Sequence, residues 1–232
     1  MAAIGARTRG LLKRSALAAG GIAPEPFVAA ARKFSGWLEI GRWLRSECAG
    51  RPRRMAAREQ LFDLIGAEVA QARTLYLEFG VYRGESMRYW SRLLKNPAAR
   101  LHGFDSFEGL PERWSADHAR GHFSTGGELP EIGDPRVEFF KGWFERTLPD
   151  YAAPAHDALV VNLDADLYAS TRFVLERIAP LIRVGAWLYF DEFSDPSHEF
   201  RAFREFVAAT GMKFAAVAES RNLWNVVFRR VA

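Results

Sequence analysis

Cysteine is nearly absent from this chain. Its 232 residues hold one, Cys48, so no internal disulfide can form and no thiolate cluster can grip zinc. A reducing, cytoplasmic setting is the expectation, and any metal must be held by oxygen or imidazole. Long apolar runs are missing as well: nothing approaches the roughly 18 residues of a membrane span. The first stretch, with Arg7, Arg9, Lys13 and Arg14 ahead of a weak apolar patch at 16–23, offers no convincing secretory core or cleavage site. Internal repeats, low-complexity tracts and the dinucleotide fingerprint G-x-G-x-x-G are all absent. What remains, 49% hydrophobic, suffices for one full core.

Charge is unevenly spread. Residues 1–58 carry twelve Lys and Arg against three Glu, while the remainder is acidic overall. Such an arm can meet nucleic acid, an anionic membrane surface or an acidic substrate. It is read here as a solvated helical face packing on an acidic body or a sister subunit, with no nucleic-acid partner. Residues 1–30 read as loosely ordered, with Gly20, Gly21, Pro24 and Pro26 breaking any helix. Apolar residues recur at helical spacing over 27–44, Phe34, Trp37, Leu38, Trp43 and Leu44 among them, and 49–54 interrupts them. The division expected is a basic, partly helical extension over 1–58, serving as lid or dimer arm because Trp37 and Trp43 want burial, and one domain over 59–232.

Residues 75–86, LYLEFGVYRGES, organise that domain. Leu75, Leu77 and Phe79 alternate with Tyr76, Glu78 and Gly80, then the chain turns on glycine and continues with helical spacing. Gly80 and Gly84 permit close approach to a bound molecule, and the following helix start points N–H groups at it. The spacing E-x-G-x-x-x-G-x-S places Glu78 as an acceptor for a cationic ligand group, which favours S-adenosylmethionine over NAD.

Strand and helix patterns alternate from there. A helix at 58–72 precedes the first strand; further strands are expected at 100–106, 136–142, 158–166 and 186–193, with helices at 168–182 and 197–209. The runs 213–218 and 223–229 are too close for a crossover and should form an antiparallel hairpin. In open α/β sheets ligands collect outside the carboxyl ends of the strands, and here that rim is acidic. It offers Glu78 and its glycine loop, Asp105 and Ser106, Gly142 and Trp143, Asp164 and Asp166, and Asp191 and Glu192. Asp105 follows Glu78 by 27 residues, near the offset at which an acid accepts ribose hydroxyls. Trp143 flanks an adenine or fills core. Asp164 and Asp166 alternate along a strand and project to one side, beside Asp191 and Glu192. Crowded carboxylates call for a cation, and an all-oxygen set suits magnesium or manganese before zinc. The alternative for Asp166 and its neighbours is helix capping.

The blocks LEFGVYRGES, GFDSFEGLPERW, GHFSTGGELP, FFKGWFERTLP, NLDADLYAST and GAWLYFDEF together resemble the macrocin O-methyltransferase family, class I S-adenosylmethionine enzymes that methylate sugar hydroxyls in natural-product assembly. The resemblance covers about 75–229. It implies a doubly wound, mostly parallel, seven-stranded Rossmann-like sheet whose last strand is antiparallel. It also implies a magnesium site on Asp164, Asp191 and Glu192, with a strand-four aspartate, Asp164 or Asp166, as catalytic base. Glu192 departs from the family's usual second Asp. The cofactor-binding set expected is Glu78, Gly80, Tyr82, Gly84, Ser86, Asp105, Ser106, Gly142 and Trp143, and the partners expected are a glycoside or sugar and a second copy of the chain.

In that chemistry, a magnesium ion on two vicinal acceptor oxygens lowers a hydroxyl pKa and aligns it, while an Asp takes the proton. His122 and His198 are alternative bases near the rim; His102 reads as a strand residue, His118 and His156 as surface loop. An enzyme acting on base amines would show Asn/Asp-Pro-Pro-aromatic after strand four, where this chain has Asp-Ala-Asp-Leu-Tyr. A non-catalytic S-adenosylmethionine-binding module on the same fold is the alternative function.

Overall fold

Every residue of the stretch Thr74–Phe79 is buried, as expected of a central strand covered on both faces. The structure is a computed structural model and describes residues 6–113 and 118–232. Residues 1–5 of the basic extension and Trp114, which closes the GFDSFEGLPERW block, lie outside the described residues. In chain order the elements are α1 (Ala6–Ile22), α2 (Glu25–Glu47), β1 (Cys48–Ala49), β2 (Arg53–Met55), α3 (Arg58–Val69), β3 (Thr74–Phe79), α4 (Glu85–Leu93), β4 (Arg100–Asp105), β5 (Val137–Lys141) and α5 (Phe144–Thr147). There follow β6 (Ala158–Leu163), α6 (Tyr168–Ile178) with a 3-10 turn at Ala179–Leu181, β7 (Trp187–Phe190), α7 (Glu199–Thr210), β8 (Phe214–Ser220) and β9 (Asn225–Arg230).

The sheet order is β5-β4-β3-β6-β7-β9-β8, with β3, β4, β5, β6 and β7 parallel and β9 antiparallel to both β7 and β8. The expected seven strands are therefore present, and the hairpin is β8–β9. Two short strands were not foreseen: β1 and β2, in the stretch read as a plain interruption, pair in parallel with β8. The chain order reverses between β3 and β6, with β4 and β5 leading away on one side and β7 on the other. A crevice at the strands' carboxyl ends follows from that reversal.

Side-chain alternation gives the sheet two apolar faces. Leu75, Leu77 and Phe79 join one cluster with Leu188, Phe190, Phe203 and Phe228, while Tyr76 joins the other with Phe62, Trp90 and Tyr189. Helix α4 fits that second face because Met87, Trp90 and Leu94 fall on one side and are buried, and Trp90 stacks on Tyr76 at 4.9 Å between centroids.

The amino-terminal reading needs correction. Gly20 and Gly21 do not break a helix; they form the last turn of α1, where glycine costs least, and the break is confined to Ala23 and Pro24. Pro26 sits in the first turn of α2, where a missing N–H forfeits no helical bond. Trp43 is buried among Phe193, Phe200, Phe203 and Phe228, whereas Trp37 is 54% exposed. No helix among the described residues is long and apolar enough to cross a membrane.

Candidate active site

Loops from five strands meet around one cavity of about 310 Å³, within the range of small-molecule pockets. Its wall includes Gly80 and Tyr82 after β3, Asp105 and Ser106 at the end of β4, Gly142 and Trp143 after β5, Asp164 and Asp166 after β6, and Asp191 and Glu192 after β7. Leu110, Pro111, Phe123 and Phe144 supply apolar wall. The rim read from the strand ends is thus brought together, and Glu78, Gly84 and Ser86 stand outside the wall. None of the lining residues belongs to the extension before Arg58.

The glycine loop is shaped by the protein before any ligand. At Gly80 φ is +92°, and a Cβ there would stand 1.8 Å from the backbone oxygen of Asp164. The close approach that demands glycine is therefore made by the chain itself. Gly84, φ +73°, faces Pro130, 3.0 Å from where a Cβ would be, so it packs a neighbouring loop. Ser86 is buried inside α4. Asp105 staples the loop in place: its Oδ2 accepts the N–H groups of Val81 and Tyr82, each at 2.8 Å, and its Oδ1 accepts that of Phe107 at 2.7 Å. A carboxylate offers roughly four lone-pair sites, so about one is left for a ligand hydroxyl. Tyr82 and Asp166 both line the cavity with positive φ, 50° and 56°, a cost held in place by the surrounding fold.

Glu78 lies beneath that wall. Asn162 donates to its Oε1 at 3.3 Å, its Oε2 is buried with no partner, and burial pushes the carboxyl up to about 8 against the pull of Tyr76 and Arg58.

The carboxylate rim is aimed differently from the strand reading. β6 ends at Leu163; Asp164 makes one more ladder bond, its N–H to Phe79 O at 2.9 Å, and Asp166 is turned by its left-handed backbone. Alternation along a strand is not what points the two acids at the cavity. Asp191 Oδ1 accepts from Tyr189 OH at 2.5 Å and from Asn225 Nδ2 at 2.9 Å, with the Arg58 guanidinium 4.0 Å away. Glu192 donates its N–H to Glu199 Oε2 at 2.9 Å. Glu192 Oε2 and Glu199 Oε1 are buried with no donor opposite.

Protons collect where such acids crowd. Burial, then Asp191 and Asp166, hold Asp164 well above the usual carboxylate range. Burial pushes Asp166 up to about 7, against a hydrogen bond with Glu192. Burial and Asp166 push Glu192 up to about 10, and burial raises Glu199 as well. Hard oxygens, mutual repulsion and acceptors without donors are the chemistry of a site for a hard divalent cation. Among the described residues, however, no three His, Cys, Asp or Glu side chains converge as a metal site, so gripping an ion requires these side chains to re-aim.

Sequence reading missed Arg58, Tyr189, Glu199 and Asn225. Arg58 was counted with the basic extension and Glu199 with the first turn of a helix, where an acid is unremarked. The histidines stay away from the cavity wall: His102 is a β4 residue bonded to Tyr151 OH at 2.8 Å, and His198 Nδ1 accepts the Tyr168 N–H at 3.3 Å.

The family described as "Methyltransferase domain" matches residues 77–193. The chain belongs to that family. Its curated relatives include the 8-demethyl-8-(2,3-dimethoxy-alpha-L-rhamnosyl)-tetracenomycin-C 4'-O-methyltransferase of Streptomyces olivaceus, 32% identical over 154 residues, covering 54% of this chain and 57% of the relative. Another is the demethyldecarbamoylnovobiocin O-methyltransferase of Streptomyces niveus, 29% identical over 171 residues, covering 62% and 63%. The chain thus spans about three-fifths of the length of these relatives. Among solved structures, the O-methyltransferase NovP superposes with a TM-score of 0.61 at 24% identity, over 75% of this chain and 80% of that one. The calicheamicin methyltransferase CalS11 gives 0.59 at 20%, over 84% and 91%. These likenesses establish the Rossmann-like methyltransferase fold.

Proposed function

We propose that this protein is an S-adenosylmethionine-dependent O-methyltransferase acting on a hydroxyl of a sugar or glycosylated small molecule, assisted by Mg2+ or Mn2+. The observation that carries this reading is the cavity itself, where a glycine loop stapled by Asp105 faces a rim of crowded carboxylates, one of which, Glu192, keeps a buried oxygen with no donor. The printed activities of the two Streptomyces relatives, both O-methyltransferases and one on a rhamnosyl tetracenomycin, support the reaction class and the acceptor. Kinship with the macrocin O-methyltransferases is the finer placement.

The cofactor supplies an electrophilic methyl on a sulfonium, and a divalent cation supplies Lewis acidity at the acceptor oxygens. Asp105 holds the Val81–Tyr82 loop and would have one lone pair left for a ribose hydroxyl; Trp143 would wall the adenine; the buried, unpartnered Oε2 of Glu78 would take a donor from beneath. Asp164, Asp191 and Glu192 would hold the cation. Asp164 or Asp166 accepts the proton that the acceptor hydroxyl loses as its oxygen takes the methyl. Leu110, Pro111 and Phe123 supply apolar wall beside the transfer.

Incubation with methyl-labelled cofactor and a panel of glycosides, with Mg2+ or with a chelator, tests this. Label should appear on an acceptor and fall on chelation. Undiminished transfer after exhaustive chelation removes the cation from the account, and cofactor binding without transfer to any glycoside would favour the non-catalytic module.

A further inference from the structure

Among the described residues, eight of the twelve exposed large hydrophobic side chains lie between Leu11 and Leu38, in α1 and the first half of α2. Helix α2 is apolar on two faces. Gly36, Ile40, Trp43 and Leu44 are buried against the body. On the other side Phe27, Phe34 seven residues on, and Trp37 and Leu38 three and four residues after Phe34, are each more than half exposed. Burial begins only at Gly36, whose Cα lies against Pro196, so close that a Cβ would stand 2.4 Å from the ring.

The direction of the helix follows from its neighbours. Gly36 meets Pro196, in the loop that carries Asp191 and Glu192; Glu39 pairs with Arg204 of α7; Glu47 pairs with Lys213, ahead of β8. α2 therefore runs beside α7 from the cavity end of the sheet to the opposite end. The eleven residues before Gly36, about 16 Å of helix, extend beyond the carboxyl ends of the strands, and α1 precedes them.

Charge decides what such a surface meets. The three acids of α2 are each taken, Glu25 by Arg32, Glu39 by Arg204 and Glu47 by Lys213. Lys13, Arg14, Lys33, Arg42 and Arg45 have no ion-pair partner among the described residues. Two copies of this segment face to face would bring like charges together. Exposed Phe, Trp and Leu among unpaired Lys and Arg suit the boundary of a bilayer with anionic headgroups.

We propose that α1 and the first half of α2 seat the protein on an anionic lipid surface, with the cavity end toward the bilayer. The contact is peripheral, and it places the acceptor site where a membrane-held substrate would be presented. It is independent of the proposed reaction and can be measured with no cofactor present.

Co-sedimentation of the full chain with phosphatidylcholine vesicles, with or without about 30 mol % phosphatidylglycerol, tests this. Binding is expected only to the anionic vesicles and should drop about tenfold or more at about 0.5 M salt. Phe34→Ser/Trp37→Ser and Lys13→Glu/Arg14→Glu should each weaken it about tenfold without changing the melting temperature, since these side chains are exposed. Binding to neither vesicle, equal binding to both, or variants that bind as the parent does would overturn the proposal. So would a stable dimer in sedimentation velocity that the Phe34/Trp37 variant dissociates, which would assign the face to a second copy.

Discussion

The carboxylate rim and the α1–α2 arm break the rules of burial in opposite directions. At the rim, acids that belong in water are enclosed: Glu199 is fully buried, and Glu192 keeps an oxygen with no donor. On the arm, side chains that belong in a core stand in solvent, Phe27 at 68% and Phe34 at 60% exposure. Each departure costs stability that the chain alone does not recover. Violations of this kind concentrate where another molecule completes the structure. Under the proposed function and the proposed lipid contact, positive charge and hydrogen-bond donors would complete the rim, and an apolar boundary with negative charge would complete the arm.

The comparison is sharpest at the seams that hold each region to the body. Gly80→Val drives a side chain into the backbone of Asp164 and should remove about 4 kcal/mol or more, with little folded protein recovered. A melting temperature like the parent's would mean the loop has room to move. On the arm, Trp43→Ala empties a pocket among four phenylalanines and should cost about 3–5 kcal/mol, while Trp37→Ala should stay within about 0.5 kcal/mol. Equal losses in urea denaturation would erase the distinction between the two faces of α2.

At the rim, Asp164→Asn should lower turnover about 10²–10⁴-fold while cofactor affinity stays nearly unchanged and the ligand-free protein is no less stable, because the amide keeps the shape of a carboxyl whose charge burial already disfavours. A marked loss of stability would recast Asp164 as a structural acid. A smaller effect belongs to Glu78. Its carboxyl titrates at about 8 when folded against an ordinary 4.5, so between those values the folded state holds a proton that the unfolded state has lost. Its contribution therefore makes stability fall as pH rises from about 4.5 to about 8, with no further change outside that window. Glu78→Gln should remove that slope, about 1.4 kcal/mol per pH unit within the window, read from urea midpoints at the two ends. An unchanged slope would mean that Glu78 is not the group responsible.

Much of the architecture was legible because its signals are local. Strand β6 announces itself as an apolar run, and β8–β9 by a gap too short for a helix. The ring of acids was legible because strand ends in an open α/β sheet share one rim, even though Asp166 owes its direction to a left-handed turn. The partners of those acids were not. Asn225 reaches Asp191 across 34 residues, Arg58 approaches it from the end of the extension, and only the order β6-β7-β9 brings them together. β1 and β2 escaped notice because two- and three-residue strands have no periodicity; the edge of β8 defines them. α1 was lost to a Gly-Gly pair whose effect depends on lying in the last turn.

Titration of the full chain with S-adenosylmethionine, first in chelator and then with Mg2+, meets the central claim most directly. Saturable binding at one site per chain is expected in both, weakened by Asp105→Ala, which removes the acceptor of three backbone N–H groups around the loop. Absence of binding under either condition by the folded protein would contradict the account.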